Sequence, residues 1–240
     1  MTIDTPAVTR APLWRRATAE FLGAGLLVTV VVGSGIAAQG LSTDTGLQLL
    51  ENSIATALGL GVLILLLAPA SEAHFNPVVS LADCLLGRRS RTGLTPVALA
   101  AHIGAQILGA IGGAVLANAM FDTPTAISAT ERATPATFLA EIVATAGLVL
   151  LLIGLTRNRR SIPVIAAAVG SYIGAAYWFT SSTSFANPAV TIGRIFTDTF
   201  AGIAPASAIP FIAAQLIRAA AALGLSALLF PARAAPAHRS

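Results

Sequence analysis

The chain has 240 residues, 55% of them hydrophobic and only 10% charged, with a mean hydropathy of +0.81 and a formal net charge of +4 at pH 7. This balance excludes an ordinary soluble domain, and a single cysteine, Cys84, excludes an intrachain disulfide framework. No Cys/His cluster has metal-site spacing, so neither a metal nor a cofactor is expected.

Residues 1–12 are polar and contain proline, and they read as a short cytoplasmic tail, because the apolar run that follows is too long for a signal-peptide core. Apolar spans then cover about Trp14–Ala38, Leu49–Pro69, Thr95–Asn118, Ala136–Thr156, Ile162–Thr180 and Ala206–Phe230, each of transmembrane length, before a polar tail at 231–240. Trp14, Tyr177 and Trp178 fall near span ends, where amphipathic aromatics favour the membrane interface. Two further segments, Pro77 to about Leu86 and Pro188 to about Thr197, are too short to cross. Roughly ten residues rise about 15 Å as a helix, half of a hydrocarbon core of about 30 Å. Each opens on Asn-Pro, which suits a helix start because the proline N–H is dispensable in the first turn. The pattern predicts an all-α membrane protein of six transmembrane helices plus two re-entrant half-helices that meet at mid-membrane.

All basic side chains apart from histidine are arginines, and they set an orientation. Arg10, Arg15 and Arg16, then Arg88, Arg89 and Arg91, then Arg157, Arg159 and Arg160, and finally Arg233 and Arg239 all fall on one side of a six-span chain. The positive-inside rule places that side, with both termini, in the cytoplasm of a cell that would carry the protein in its inner membrane. Asp44, Asp122, Glu131 and Asp198 fall on the other side with Arg132 and Arg194, and Arg218 lies inside the sixth span.

One channel-like domain, residues 1–240, divides into repeats at about 14–118 and 136–230. Asn76-Pro77 matches Asn187-Pro188, Glu20 matches Glu141, and Ala105-Gln106 matches Ala214-Gln215, each at the same place in its repeat. Three spans per repeat force the second half to be inverted, giving a pseudo-two-fold axis in the membrane plane. Irregular backbone at membrane depth must be packed in protein or line a water-filled cavity. Two half-helix N-termini there aim N–H groups and positive dipole ends at one point, repelling cations. Asn76 and Asn187 cap these helices and offer amide donors to a passing oxygen atom, while Glu20 and Glu141 brace the loops by accepting backbone N–H bonds. The chemistry suits neutral, hydrogen-bonding solutes.

His74-Phe75-Asn76-Pro77-Val78-Val79 and Phe185-Ala186-Asn187-Pro188-Ala189, with Glu20, Gln106, Glu141 and Gln215, resemble the aquaporin and aquaglyceroporin family from about Trp14 to Phe230. The resemblance implies a homotetramer in membrane lipid with one pore per subunit, conducting water or small neutral solutes passively. Two departures stand out. The first motif has Val78 where alanine is usual, and Glu72 where glycine is frequent, which reads first as a solvated loop carboxylate and second as part of the cytoplasmic vestibule. Directly after the second motif, where the family usually has the arginine of its outer constriction, stands Val190.

By offset from the family pattern, the remaining walls of that constriction fall at Ala175, Ser184 and Thr56, with Leu60 as the alternative to Thr56 on the second span. A ring of Thr56, Ala175, Ser184 and Val190 is open and weakly polar. Arg194, one helical turn beyond Val190, either guards a shifted outer mouth or, as the preferred expectation, pairs with Asp198. His74 and His102 read as structural, and Cys84 as packing. The missing arginine resembles aquaporins associated with arsenic detoxification, which points to polyols and neutral metalloid hydroxides such as arsenous acid, alongside water. An ordinary water or glycerol channel is the alternative, and an ion-coupled secondary transporter the alternative of another class. No nucleophile–base set or cofactor fingerprint indicates an enzyme.

Overall fold

The computed structural model describes residues 10–88 and 92–229, apart from the side chains at 218–223, 226 and 227. Residues 1–9, Phe230, the tail at 231–240 with Arg233 and Arg239, and also Arg89, Arg91 and the Arg218 side chain lie outside that description. Six long helices run α1 (Leu13–Leu41), α2 (Thr45–Ser71), α4 (Pro96–Met120), α5 (Pro135–Arg157), α6 (Ile162–Phe179) and α8 (Pro205–Leu229). The short α3 (Pro77–Gly87) and α7 (Pro188–Gly193) lie between them. No strand occurs among the described residues.

Local chemistry fixes the helix starts. Asp44 accepts the Leu47 N–H, Thr95 accepts the Ala98 N–H, and Thr134 and Thr137 form a reciprocal capping box. Proline occupies the first turn of α3, α4, α5, α6 and α7, where it removes only an N–H that has no intrahelical partner. Expected and observed span limits differ by at most four residues at the described ends. The second half-helix is shorter than expected: α7 ends at Gly193 and passes into a tighter 3-10 turn at Arg194–Phe196.

Packing follows the repeat. α1 lies along α4 as α5 lies along α8, and α2 and α6 close the bundle across the two halves. The α1–α4 contact is close enough that a Cβ on Gly109 would overlap the Phe21 carbonyl, and Thr29 Oγ1 donates across it to Gly113 O at 3.1 Å. Each half-helix also packs against the last long helix of the opposite half, α3 on α8 and α7 on α4. Leu58, Val62, Leu66, Leu108 and Ile209 face outward, as expected of helices solvated by lipid.

Candidate pore and its outer constriction

Two loops enter the bundle without glycine, yet each bends through the left-handed region at the same three places. Glu72, Ala73 and Phe75 have φ of 73°, 52° and 49°, and Thr183, Ser184 and Ala186 have φ of 59°, 50° and 46°. These are the fourth, third and first residues before Asn76 and Asn187 respectively. Such conformations cost about 1–3 kcal/mol each and persist only where surrounding contacts impose them.

The contacts here are carboxylates. Glu20 Oε1 accepts from His74 N–H at 3.0 Å and Ser71 Oγ at 2.7 Å, while its Oε2 accepts from Phe75 N–H at 2.7 Å and Gln106 Nε2 at 2.6 Å. In the other half Glu141 accepts from Phe185 N–H at 2.9 Å, Ala186 N–H at 2.8 Å and Gln215 Nε2 at 2.7 Å. Gln106 donates onward to Ser80 Oγ, and Gln215 to Thr191 Oγ1. In both halves a buried carboxylate thus accepts two backbone N–H groups of the loop and one glutamine amide.

Asn76 and Asn187 do more than cap. Asn76 Oδ1 accepts the Val78 N–H at 2.9 Å, and Asn187 Oδ1 accepts the Ala189 and Val190 N–H groups at 3.0 and 3.3 Å. Asn76 Nδ2 donates to Ala186 O, and Asn187 Nδ2 to Phe75 O, both at 2.8 Å. Each amide thus ties its own half-helix to the opposite loop and retains a second N–H.

A cavity of about 670 Å³ passes these asparagines. Its wall is largely aliphatic, including Leu27, Leu60, Leu148, Val149 and Val169, with a polar strip from the two loops. One end is lined by Glu72, Asp83 and Arg157; the other reaches Thr56, Tyr177, Ser184, Val190 and Arg194. Thr56 and Leu60 both line the wall, one helical turn apart.

Ala175 does not line the cavity. It is exposed on the outside of α6, and Tyr177 stands inside with its hydroxyl 3.1 Å from Thr56 Oγ1. The expected wall position was half a turn out of phase, since the inward stripe of α6 runs Ala166, Val169, Gly170, Ile173, Ala176 and Tyr177. Tyr177 is buried in the bundle and not exposed on its surface. Trp178 does lie exposed, donating Nε1–H to Ser53 Oγ.

Arg194 also departs from its preferred expectation. Asp198 accepts instead from Ser128 Oγ and Ala129 N–H, and no Arg194–Asp198 ion pair forms among the described residues. The buried Arg194 guanidinium stacks over Phe185, 3.5 Å from the ring centroid, and its Nε–H donates to Ala201 O. Arg132 approaches the same ring at 5.7 Å and donates to Gly202 O and Phe200 O. Burial lowers the Arg132 guanidinium from its ordinary value. Glu72 is half-exposed, ion-paired to Arg10 at 3.2 Å, and also part of the cavity lining.

Six long helices around one cavity, with two half-helices entering it from opposite halves, define a membrane channel. Residues 7–185 match the family described as Major intrinsic protein, and the chain belongs to that family, whose members are channels and not enzymes. Aquaglyceroporin AqpS of Rhizobium meliloti (strain 1021) is 50% identical over 224 residues, covering 92% of this chain and 93% of that protein. Aquaporin A of Dictyostelium discoideum is 30% identical over 186 residues, which is 72% of this chain and 65% of its own. The X-ray structure of the aquaglyceroporin from Plasmodium falciparum has the same fold, with a TM-score of 0.71 at 20% identity over 90% of this chain and 96% of that one.

Proposed function

We propose that the chain is a passive aquaglyceroporin-type pore for water, polyols and neutral metalloid hydroxides such as arsenous acid. The observation that carries this reading is the outer end of the cavity, where Val190 occupies the position directly after the second Asn-Pro-Ala and Arg194 lies one turn beyond it. A largely aliphatic wall that also carries the Thr56–Tyr177 hydroxyl pair suits a solute with one hydroxylated and one less polar face. Asn76 and Asn187 offer their remaining amide N–H groups to the solute oxygens as it crosses the midplane. Thr56, Tyr177, Ser184, Val190 and Arg194 form the selectivity filter, and Leu60 continues its aliphatic side inward. Residues 1–240 act as one channel unit, both termini face the cytoplasm of an inner membrane, and the lipid-facing helices assemble as a homotetramer.

Tyr177 favours a second reading. It is much larger than the alanine expected on that wall, which narrows the outer end toward an ordinary water or glycerol filter. Stopped-flow light scattering on proteoliposomes separates the two by comparing water, glycerol and arsenous acid entry for the native chain and Val190→Arg. Under the broad-pore reading all three enter the native vesicles. An added barrier of about 1.4 kcal/mol in the variant then lowers arsenous acid and glycerol entry about tenfold, with water less affected. Exclusion of arsenous acid by the native chain supports the narrower filter, and solute entry unchanged in Val190→Arg removes Val190 from the filter altogether.

A further inference from the structure

Conduction of neutral solutes leaves unused a group of side chains at the opposite mouth. Glu72, His74 and Asp83 line the cavity there, and each offers one metal-ligating type of atom within 4.8 Å of the other two. The orientations are fixed from behind. His74 Nδ1 lies 3.0 Å from Ser80 Oγ, Asp83 Oδ2 accepts the Leu94 N–H at 2.8 Å, and Arg10 holds Glu72 Oε1 at 3.2 Å. Glu72 Oε2 lies 3.7 Å from His74 Nε2. Outer hydrogen bonds of this kind fix ring and carboxylate geometry around bound metals. A second imidazole, His102, is fully buried with neither ring nitrogen partnered, and it meets the His74 ring edge-on at 5.8 Å. The position of Glu72 is also costly: it caps α2 with φ 73°, a conformation that favours glycine, yet carries a carboxylate.

We propose that Glu72, His74 and Asp83 form a divalent-cation site in this mouth, and that an ion bound there obstructs the pore. Two carboxylates and one imidazole suit a borderline ion of the Zn²⁺ class better than Ca²⁺ or Mg²⁺, which prefer oxygen ligands alone. The ion stays in the mouth because the half-helix N-termini ahead of it present positive dipole ends. Arg10 competes for Glu72 and holds the affinity below that of a closed structural site. Obstruction rests on the channel reading above, whereas ion binding does not.

The test pairs equilibrium dialysis of Zn²⁺ against the tag-free, full-length protein in detergent with stopped-flow entry of water and glycerol into proteoliposomes. Flux is read with Zn²⁺ on both faces and again after EDTA. The expected result is saturable binding of about one ion per chain, with entry slowed at saturation and restored by EDTA. Glu72→Gly, which also relieves the left-handed backbone, and Asp83→Asn, whose amide oxygen still accepts the Leu94 N–H, should each raise Kd at least about tenfold and remove the slowing. Cys84→Ser should change neither. Absence of saturable binding, or binding unaltered in both carboxylate variants, overturns the site. Variant-sensitive binding that leaves both fluxes unaltered overturns the obstruction. If glycerol fails to enter even without Zn²⁺, the polyol reading fails, while dialysis and water flux still decide the site.

Discussion

Under the proposed function, Val190 and Arg194 divide a task that one side chain performs where an arginine directly follows the second Asn-Pro-Ala. Val190 is part of the pore wall, whereas the Arg194 guanidinium reaches the same end from one turn further out, held by Phe185 and Ala201 O. Arg194→Leu removes a buried cation and its carbonyl contact together. It should raise glycerol entry relative to water and also loosen the 197–204 loop, seen as faster proteolysis there. Unchanged flux ratios would place Arg194 outside the filter. Tyr177→Phe is gentler: losing the hydroxyl contact to Thr56 costs about 1 kcal/mol of stability, measurable as a lowered midpoint in detergent unfolding. At this scale the sequence was only partly legible. Asn76, Asn187, Glu20 and Glu141 announce themselves because each occurs twice in register. Ala175 was misplaced because a filter wall on a long helix depends on helical phase, and an offset counted across an irregular loop does not preserve phase. Tyr177 gave a signal, a bulky residue two positions on from the alanine, but near a span end it reads equally well as an interface anchor.

The re-entrant elements depend on contacts that arrive from elsewhere. Glu141→Ala strips the acceptors from Phe185 N–H, Ala186 N–H and Gln215 Nε2, and each buried donor left unpaired costs about 1–3 kcal/mol. Little folded protein should survive detergent extraction and size-exclusion chromatography, whereas Glu141→Gln, which keeps one acceptor, should be recovered in part. Gly23 is equally constrained, because a Cβ there would overlap the edge of the Phe75 ring. Gly23→Ala should lower stability by about 1–3 kcal/mol through overpacking, read from thermal aggregation of the detergent-solubilised protein. The half-helices themselves were readable from Asn-Pro and from length. The early end of α7 was not, because it arises from tertiary packing: Gly193 is pressed against Ala110 O of α4, and Thr197 Oγ1 donates to Asn118 Oδ1 at 2.8 Å, drawing the chain out of helical register. Arg132 was assigned only to a side of the membrane, since nothing in the linear order places residue 132 beside Phe185.

At the scale of the molecule, Glu20 and Glu141, the two fully buried carboxylates among the described residues, are committed to loop backbone and glutamine, so neither is free to carry protons through a transport cycle. Flux should therefore be the same with and without an imposed proton or sodium gradient; a gradient that drives net glycerol accumulation would indicate a coupled transporter instead. The bundle was legible from six apolar spans and the positions of the arginines, because lipid requires every backbone group on a span to be paired within a helix. The asparagine clasp bears on how such a chain is made. Phe75 O and Ala186 O are each satisfied by an amide from the other half, about 110 residues away. A ribosome needs roughly 5–20 s to cover that interval at about 5–20 residues per second. For that time the first loop is in or near the membrane with its acceptor unmet. The finished pore is then assembled only when the second Asn-Pro emerges, and chain halves separated between residues 121 and 134 should be degraded singly in cells but recovered together when co-expressed.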